Sequence, residues 1–346
     1  MDVRTLYFTA PETVELRRES LDPPGEDDLL VETTASGISP GSELLVYRGE
    51  FPEGMAVDET IEALDGEFAY PLPYGYAAVG EVSAVGEGIE RSWLGRQVFA
   101  FEPHADRFRT PAERVVPLPE TVEPWEATLL PSVETATNLA LDGAPRVGER
   151  VVVFGAGLVG LCTTHVLAGF PLDSLVVVEP RAARRELALR VGADRAIAPD
   201  ETDSLFDDSG ARAAGSAGTT ESDGADLVYE LSGQPATLDA AIDAVGYDGR
   251  VVVGSWYGTR RAPVDLGGSF HRDRVSVVSS QVSTIDPSLR GRWDRERRFD
   301  VAFDHLRALD TDALCSERVP FTDAASAYRR LDQGALDAPH VVLTYR

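Results

Sequence analysis

The chain has 346 residues, enough for two domains with substantial cores. It sets 58 acidic residues against 32 arginines and no lysine, for a net charge of −26. That balance argues against nucleic acid or anionic membrane as a partner, because neutralising phosphate needs a positive face. The missing lysine excludes Schiff-base catalysis and pyridoxal phosphate attachment.

An acid-rich surface of this kind suits a salt-rich solvent, where counter-ions screen self-repulsion. A GC-rich genome would also replace lysine by arginine, but would not add acids. Cys162 and Cys315 make neither a disulfide framework nor a zinc knuckle. No apolar run reaches the length of a membrane span, and Met1-Asp2-Val3-Arg4 opens a strand rather than a signal peptide. A cytoplasmic protein is expected.

Residues 1–120 are rich in glycine, proline and short strand-like runs, at 29–33, 77–85, 97–101 and 114–117. This reads as a β-rich domain. From Trp125 the character changes. A helix-compatible stretch, 126–142, leads to a strand at 150–154, and strands and helices then alternate. Strands are expected at 175–178, 227–230 and 250–253, with helices at 182–191 and 236–244 between them. That alternation gives a doubly wound parallel sheet. Residues 200–224 hold seven acids and one arginine among Ser, Gly, Ala and Thr, and read as a solvated surface loop. A helix at 323–331 and a strand at 341–345 should return to the β-rich domain. The run RVSVVSS at 274–280 is β-branched and reads as an exposed edge strand, which needs a partner or cover. A homodimer through that edge is expected.

Residues 151–160 read VVVFGAGLVG: a short apolar strand, a glycine turn, then an apolar helical stretch. Gly155 permits the tight turn, Gly157 lets a pyrophosphate approach the backbone, and Gly160 lets the helix pack on the strand. The following helix, opening with Leu158 and Val159, presents free N–H groups to phosphate. A second strand ends at Glu179, 24 residues beyond Gly155, about where the acid that holds the adenosine ribose belongs. The competing reading is a decorative glycine turn.

With these pieces in order, the chain resembles the medium-chain dehydrogenase/reductase superfamily, zinc alcohol dehydrogenase type. ASGISPGSE (35–43) resembles the first zinc-ligand loop, and PYGYAAVGEVSAVGEG (73–88) the segment with the second ligand. EPRAARRELALRVGA (179–193) matches the ribose acid, the arginine after it and the helix end. Residues 226–233 and 249–254 match two later strands. SGISPGSE with YPLPYGY resembles the bacteriochlorophyllide a dehydrogenase branch, in which NAD oxidises a secondary alcohol on a large ring.

The resemblance implies a GroES-like catalytic domain at 1–131, a Rossmann nucleotide-binding domain at 132–285, and a return to the catalytic domain at 286–346. It adds Arg184, Thr135, Ser232, Gly254 and Ser255 to the cofactor contacts. Glu179 favours NAD, because a 2′-phosphate would meet its charge; the cluster Arg181, Arg184 and Arg185 leaves NADP possible.

The departure from the family is at the metal. Ser39 stands in place of cysteine, Tyr76-Ala77 in place of His-Glu, and Pro131 at the third ligand. Zinc wants thiolate, imidazole or carboxylate, so no zinc is expected. An acid/base must then handle the substrate oxygen. Tyr76 stands at a ligand position; its ordinary pKa of about 10 is high for a base unless a cation lowers it. Packing in the vacated pocket is its alternative role. Ser42 resembles the family's relay hydroxyl, and Glu43 its acidic neighbour. The resemblance puts His104 on the rim of the substrate cleft, where it would titrate near neutral pH. Glu134 is placed near the nicotinamide, and His271 is a further candidate. His165, His305 and His340 read as structural.

The expected activity is a zinc-independent, NAD(P)-dependent interconversion of a secondary alcohol and a ketone on a bulky or ring-bearing small molecule. The alternatives are a zinc-free quinone or enoyl reductase, and a nucleotide-binding protein that has lost catalysis.

Overall fold

The computed structural model describes residues 1–205 and 224–345. It divides into two compact units, Met1–Pro131 with Leu306–Arg346, and Ser132–His305.

The first unit is built on two sheets. The longest strand, Asp28–Ile38, is paired along one edge with Ala78–Val85. Its other edge is shared: Arg107–Pro111 covers the first half and Val341–Thr344 the second, both antiparallel. The returning C-terminal strand is therefore an integral member of the sheet. Alternate residues Leu29 and Val31 point inward to meet Ala78, Val82, Val98, Ala100 and Phe108. Asp2–Ala10, Thr13–Ser20 and Leu72–Pro73 form the smaller sheet. The sequence pattern missed the strand Arg107–Pro111. It also placed at 114–117 a strand that begins only at Val116, after a 3₁₀ turn, Ala112–Arg114.

Asp28–Ile38 delivers Ser39 to the head of a helix, Pro40–Arg48. Pro40 opens it without an amide to satisfy, Glu43 lies in the first turn, and Gly49 ends it in the left-handed region with its N–H on the Val46 carbonyl.

The second unit is a six-stranded parallel sheet in the order 195–197, 174–178, 150–154, 225–230, 245–253, 276–279. This is the doubly wound arrangement, with its switch point between Arg150–Phe154 and Ala225–Glu230, where the strand order reverses. Helices cover both faces of such a sheet, so its strands are continuous valine runs: Val151, Val152, Val153, Val177, Val251 and Val252 are fully buried. The edge strand Ser276–Ser279 is exposed throughout. The expected helix 126–142 is two, Pro124–Ala127 and Leu130–Gly143. The second crossing between units falls after His305 rather than after 285. A helix, Arg295–Ala308, explains this: its Arg298 is bonded to Glu134 and Asn138 of the second unit. Of the acidic stretch 200–224, residues up to Ser204 form a 3₁₀ turn, Pro199–Ser204, and most of the remainder lies outside the described residues.

Candidate active site and nucleotide cradle

The three glycines of the turn meet three different demands. Gly155 holds φ +100°, and a Cβ there would come 2.7 Å from Ser232 Cα. A Cβ on Gly160 would come 2.0 Å from the Gly155 carbonyl oxygen, so the helix can sit on the turn only if this residue is glycine. Around Gly157, the N-cap of Leu158–Leu167, nothing lies within 4 Å of a Cβ position. The backbone there is open to a ligand. Leu158 is buried and Val159 partly so, which anchors the first turn of the helix behind that opening.

Glu179 is 4% exposed. One of its oxygens accepts the Ala156 N–H of the turn at 2.9 Å; the other accepts the Arg181 N–H at 3.0 Å and its guanidinium at 3.2 Å. Arg184 is buried as well and donates to the Ala156 carbonyl at 3.3 Å. It braces the turn from within the unit instead of standing at the surface for a phosphate. Arg185 spans the carbonyls of Glu179 and Pro180, both at 2.8 Å.

Ser232, Gly254 and Ser255 gather around a residue that the sequence did not single out, Glu230. It is fully buried at the end of its strand. Its carboxylate accepts the Ser232 N–H at 2.9 Å, the Ser232 hydroxyl and the Tyr257 hydroxyl. Its carbonyl accepts the Gly254 N–H at 3.1 Å and the Ser255 hydroxyl at 3.3 Å. Gly254 has no room for a side chain: a Cβ would come 2.6 Å from Leu231.

Thr135 is partly exposed on the helix Leu130–Gly143. Its neighbour Glu134 points into the unit and pairs with Arg298 at 2.7 Å, both side chains 4% exposed. Burial raises the Glu134 carboxyl above its ordinary value despite that partner. With the guanidinium on it, Glu134 is a structural ion pair and not a free base.

In the first unit, the Ser42 and Tyr76 hydroxyls lie 2.7 Å apart. The Ser42 hydroxyl also faces the Ser39 carbonyl at 3.5 Å. Both hydroxyl-bearing residues are partly exposed. Burial raises the Tyr76 phenol above its ordinary value; Ser39 and Ser42 oppose the shift, and the carboxylates Glu43 and Asp58 add to it. The charged groups that act on it are carboxylates, so the phenol stays protonated near neutral pH.

His104 is 0% exposed, which corrects its expected place on a rim. Its ring links Ser36 and Glu43. Tyr345 O–H donates to Ser36 Oγ at 2.7 Å, Ser36 O–H to His104 Nδ1 at 2.6 Å, and His104 Nε2–H to Glu43 at 3.1 Å. Glu43 also accepts the Tyr328 hydroxyl and, at 2.7 Å, the Ser39 N–H. The chain of donors assigns the tautomer and ends on one buried carboxylate that takes three donors. His104 is thus a structural link. His271 is exposed on a short helix, Ser269–Arg272. His165 and His305 meet edge to face at 5.6 Å, and burial holds both below the ordinary value.

The family's zinc finds no donors here. Among the described residues no three of His, Cys, Asp or Glu are grouped to hold a metal ion. Ser39 and Tyr76 offer neutral hydroxyls, and both oxygens of the adjacent Glu43 are taken. Burial pushes the Cys162 thiol up to about 12, far from a thiolate. The site does not fit zinc.

Residues 159–297 match the zinc-binding dehydrogenase family. The L-threonine 3-dehydrogenase of Pyrococcus abyssi is 28% identical over 268 residues, 68% of this chain and 71% of that protein. The 2-desacetyl-2-hydroxyethyl bacteriochlorophyllide A dehydrogenase of Cereibacter sphaeroides is 27% identical over 275 residues, 74% of this chain and 75% of that protein. The crystal structure of the alcohol dehydrogenase RspB of Escherichia coli CFT073, complexed with NADH, superposes with a TM-score of 0.77 at 19% identity over 99% of both chains. Residues 159–297 thus carry the match to the zinc-binding dehydrogenase family, and the solved neighbours share the fold of the whole chain. Its homologues and structural neighbours are NAD(P)-dependent dehydrogenases, solved with NADH in one case and NADP in another. Among the described residues no helix is long and apolar enough to cross a membrane.

Proposed function

We propose that the protein interconverts a secondary alcohol and a ketone on a bulky or ring-bearing substrate without zinc, with NAD(H) as the preferred cofactor. The observation that carries this reading is the Ser42–Tyr76 hydroxyl pair at 2.7 Å, on the two segments that resemble the family's zinc-ligand loops. Bound dihydronicotinamide supplies the hydride to the carbonyl carbon. Tyr76, kept protonated by burial, donates its proton to the carbonyl oxygen, and Ser42 passes a replacement proton to the phenolate. The oxidation runs the same path backwards.

Glu179 supports NAD over NADP. Its carboxylate is fixed at the turn, and a 2′-phosphate would have to displace Arg181 from it or sit against its charge. The bulky substrate class rests on the bacteriochlorophyllide dehydrogenase relative.

The test is turnover of ketone, secondary-alcohol and enone panels with NAD(H) and NADP(H), alongside Tyr76→Phe and elemental analysis. Ketone reduction that is lost in Tyr76→Phe, in protein free of zinc, is the expected result. One zinc per chain, lost together with activity, contradicts it. Enone reduction with ketones refused favours a quinone or enoyl reductase.

A further inference from the structure

Two buried carboxylates end the two strands that flank Arg150–Phe154, and they are held alike. Each accepts the backbone N–H two residues on: Arg181 to Glu179 at 3.0 Å, and Ser232 to Glu230 at 2.9 Å. Their exposures are 4% and 0%. They differ in their remaining partners. Glu179 takes the Ala156 N–H and a guanidinium. Among the described residues, the Glu230 carboxylate meets only neutral donors, the Ser232 and Tyr257 groups. The sheet order assigns them to different halves of a doubly wound fold, each half taking one mononucleotide. Glu179 belongs to the half that takes adenosine, Glu230 to the other.

We propose that Glu230, held by Tyr257, is a positioning residue for the nicotinamide half of the dinucleotide, the counterpart of Glu179 in the adenosine half. This rests on the NAD(P) reading above. The loop after Glu230 is fixed at every residue. Gly233 N–H reaches Ser255 Oγ at 2.9 Å, Gln234 N–H reaches Ser232 Oγ at 3.0 Å, and the Arg260 guanidinium faces the Gln234 side chain at 3.4 Å. The Leu231–Ser232 peptide in turn presses on Gly155, where a Cβ would stand 2.7 Å from Ser232 Cα. A change at Glu230 is therefore transmitted first to this loop, while the glycine turn keeps its own tie to Glu179 through the Ala156 N–H. Burial and the Glu230 charge raise the Tyr257 phenol, so Tyr257 remains the donor and Glu230 the acceptor at working pH.

The test is equilibrium binding of NADH and of ADP, which carries the adenosine half alone, to the full chain and to Tyr257→Phe and Glu230→Gln. Tyr257 is half-buried and keeps its ring in the variant, so that variant folds even if Glu230→Gln does not. Both variants should weaken NADH by about tenfold or more, the effect of losing a hydrogen bond to a charged group. ADP affinity should stay within about twofold, whereas Glu179→Gln should weaken both ligands. Unchanged NADH affinity in folded Tyr257→Phe overturns the proposal. So does a parallel loss of NADH and ADP, which is the signature of a general structural role. A wild type that binds neither NADH, NADPH nor ADP overturns the dinucleotide reading itself.

Discussion

The imidazole of His104 stands in the space that a side chain at residue 75 would need. A Cβ on Gly75 would lie 2.5 Å from His104 Cδ2, and Gly75 holds φ +112°. The peptide leading into Tyr76 is thus shaped by a ring that is itself held between Ser36 and Glu43. Glu43 also fixes Ser39 at the head of the helix carrying Ser42. One carboxylate sets both sides of the Ser42–Tyr76 pair.

That contact predicts a coupled double-mutant cycle. Gly75→Ala should destabilise strongly, through the clash and the positive φ. His104→Ala should also destabilise, by leaving Glu43 and Ser36 without their partner. In the double variant the alanine methyl has the room the ring gave up, so the loss should fall short of the sum by roughly 1–3 kcal/mol. Chemical denaturation measures all four stabilities. Additive losses would show that the ring and the glycine do not constrain each other.

Tyr76→Phe keeps the ring and its packing, so its stability should stay near wild type. Turnover should fall by about two to four orders of magnitude, the usual cost of removing one positioned acid/base. The pH profile has a definite sign. Because the phenol lies above its ordinary value of 10, ketone reduction should be flat from pH 6 to 9. Alcohol oxidation, which needs the phenolate, should keep rising with pH past 10. An oxidation rate that levels off near neutrality would point to a different group.

The nucleotide turn was legible because each glycine answers a separate local need, and strand, turn and helix are contiguous in sequence. Glu179 followed from spacing alone. Glu230 and Tyr257 did not, because they meet only when neighbouring strands are aligned. His104 was misplaced for a related reason. Phe101-Glu102-Pro103-His104 reads as a loop after a strand, and loops usually lie outside. This one runs beneath the N-terminal strand: the His104 carbonyl takes the Leu6 N–H at 2.9 Å, and Ala105 bridges to Thr5. The helix Arg295–Ala308 carried a readable signal in its buried Phe299, Ala302, Phe303 and Leu306, which repeat at helical spacing among charged residues.

His340 predicts an acid-sensitive component of stability. It is 1% exposed, lies 2.8 Å from the Thr128 hydroxyl, and fills the space beside Gly37. Burial lowers its pKa from 6.5 to about 3. The unfolded chain therefore takes up a proton at this site before the folded one does. The contribution is complete above pH 6.5 and is lost progressively as the pH falls toward 3. Denaturation of wild type and His340→Asn across that range should show a steeper decline for wild type. Parallel curves would mean that the ring does not stay neutral.

The exposed edge strand predicts a homodimer. Ser276–Ser279 is hydrogen-bonded on one side to Val245–Val253, and Val277 and Val278 are 37% and 44% exposed. A β-branched edge left open is a template for pairing, and a second copy presents the same edge about a two-fold axis. Each subunit carries a net charge of −26, so bringing two together is opposed by long-range repulsion that salt screens. The dimer should therefore strengthen as salt is raised, the reverse of an association driven by opposite charges. Light scattering should give a dimer in molar salt and partial dissociation at low salt. Val278→Asp adds a charge to the seam without touching the core and should give a monomer at all salt concentrations. A wild-type monomer in molar salt, or a Val278→Asp dimer as stable as wild type, would place the interface elsewhere or remove it.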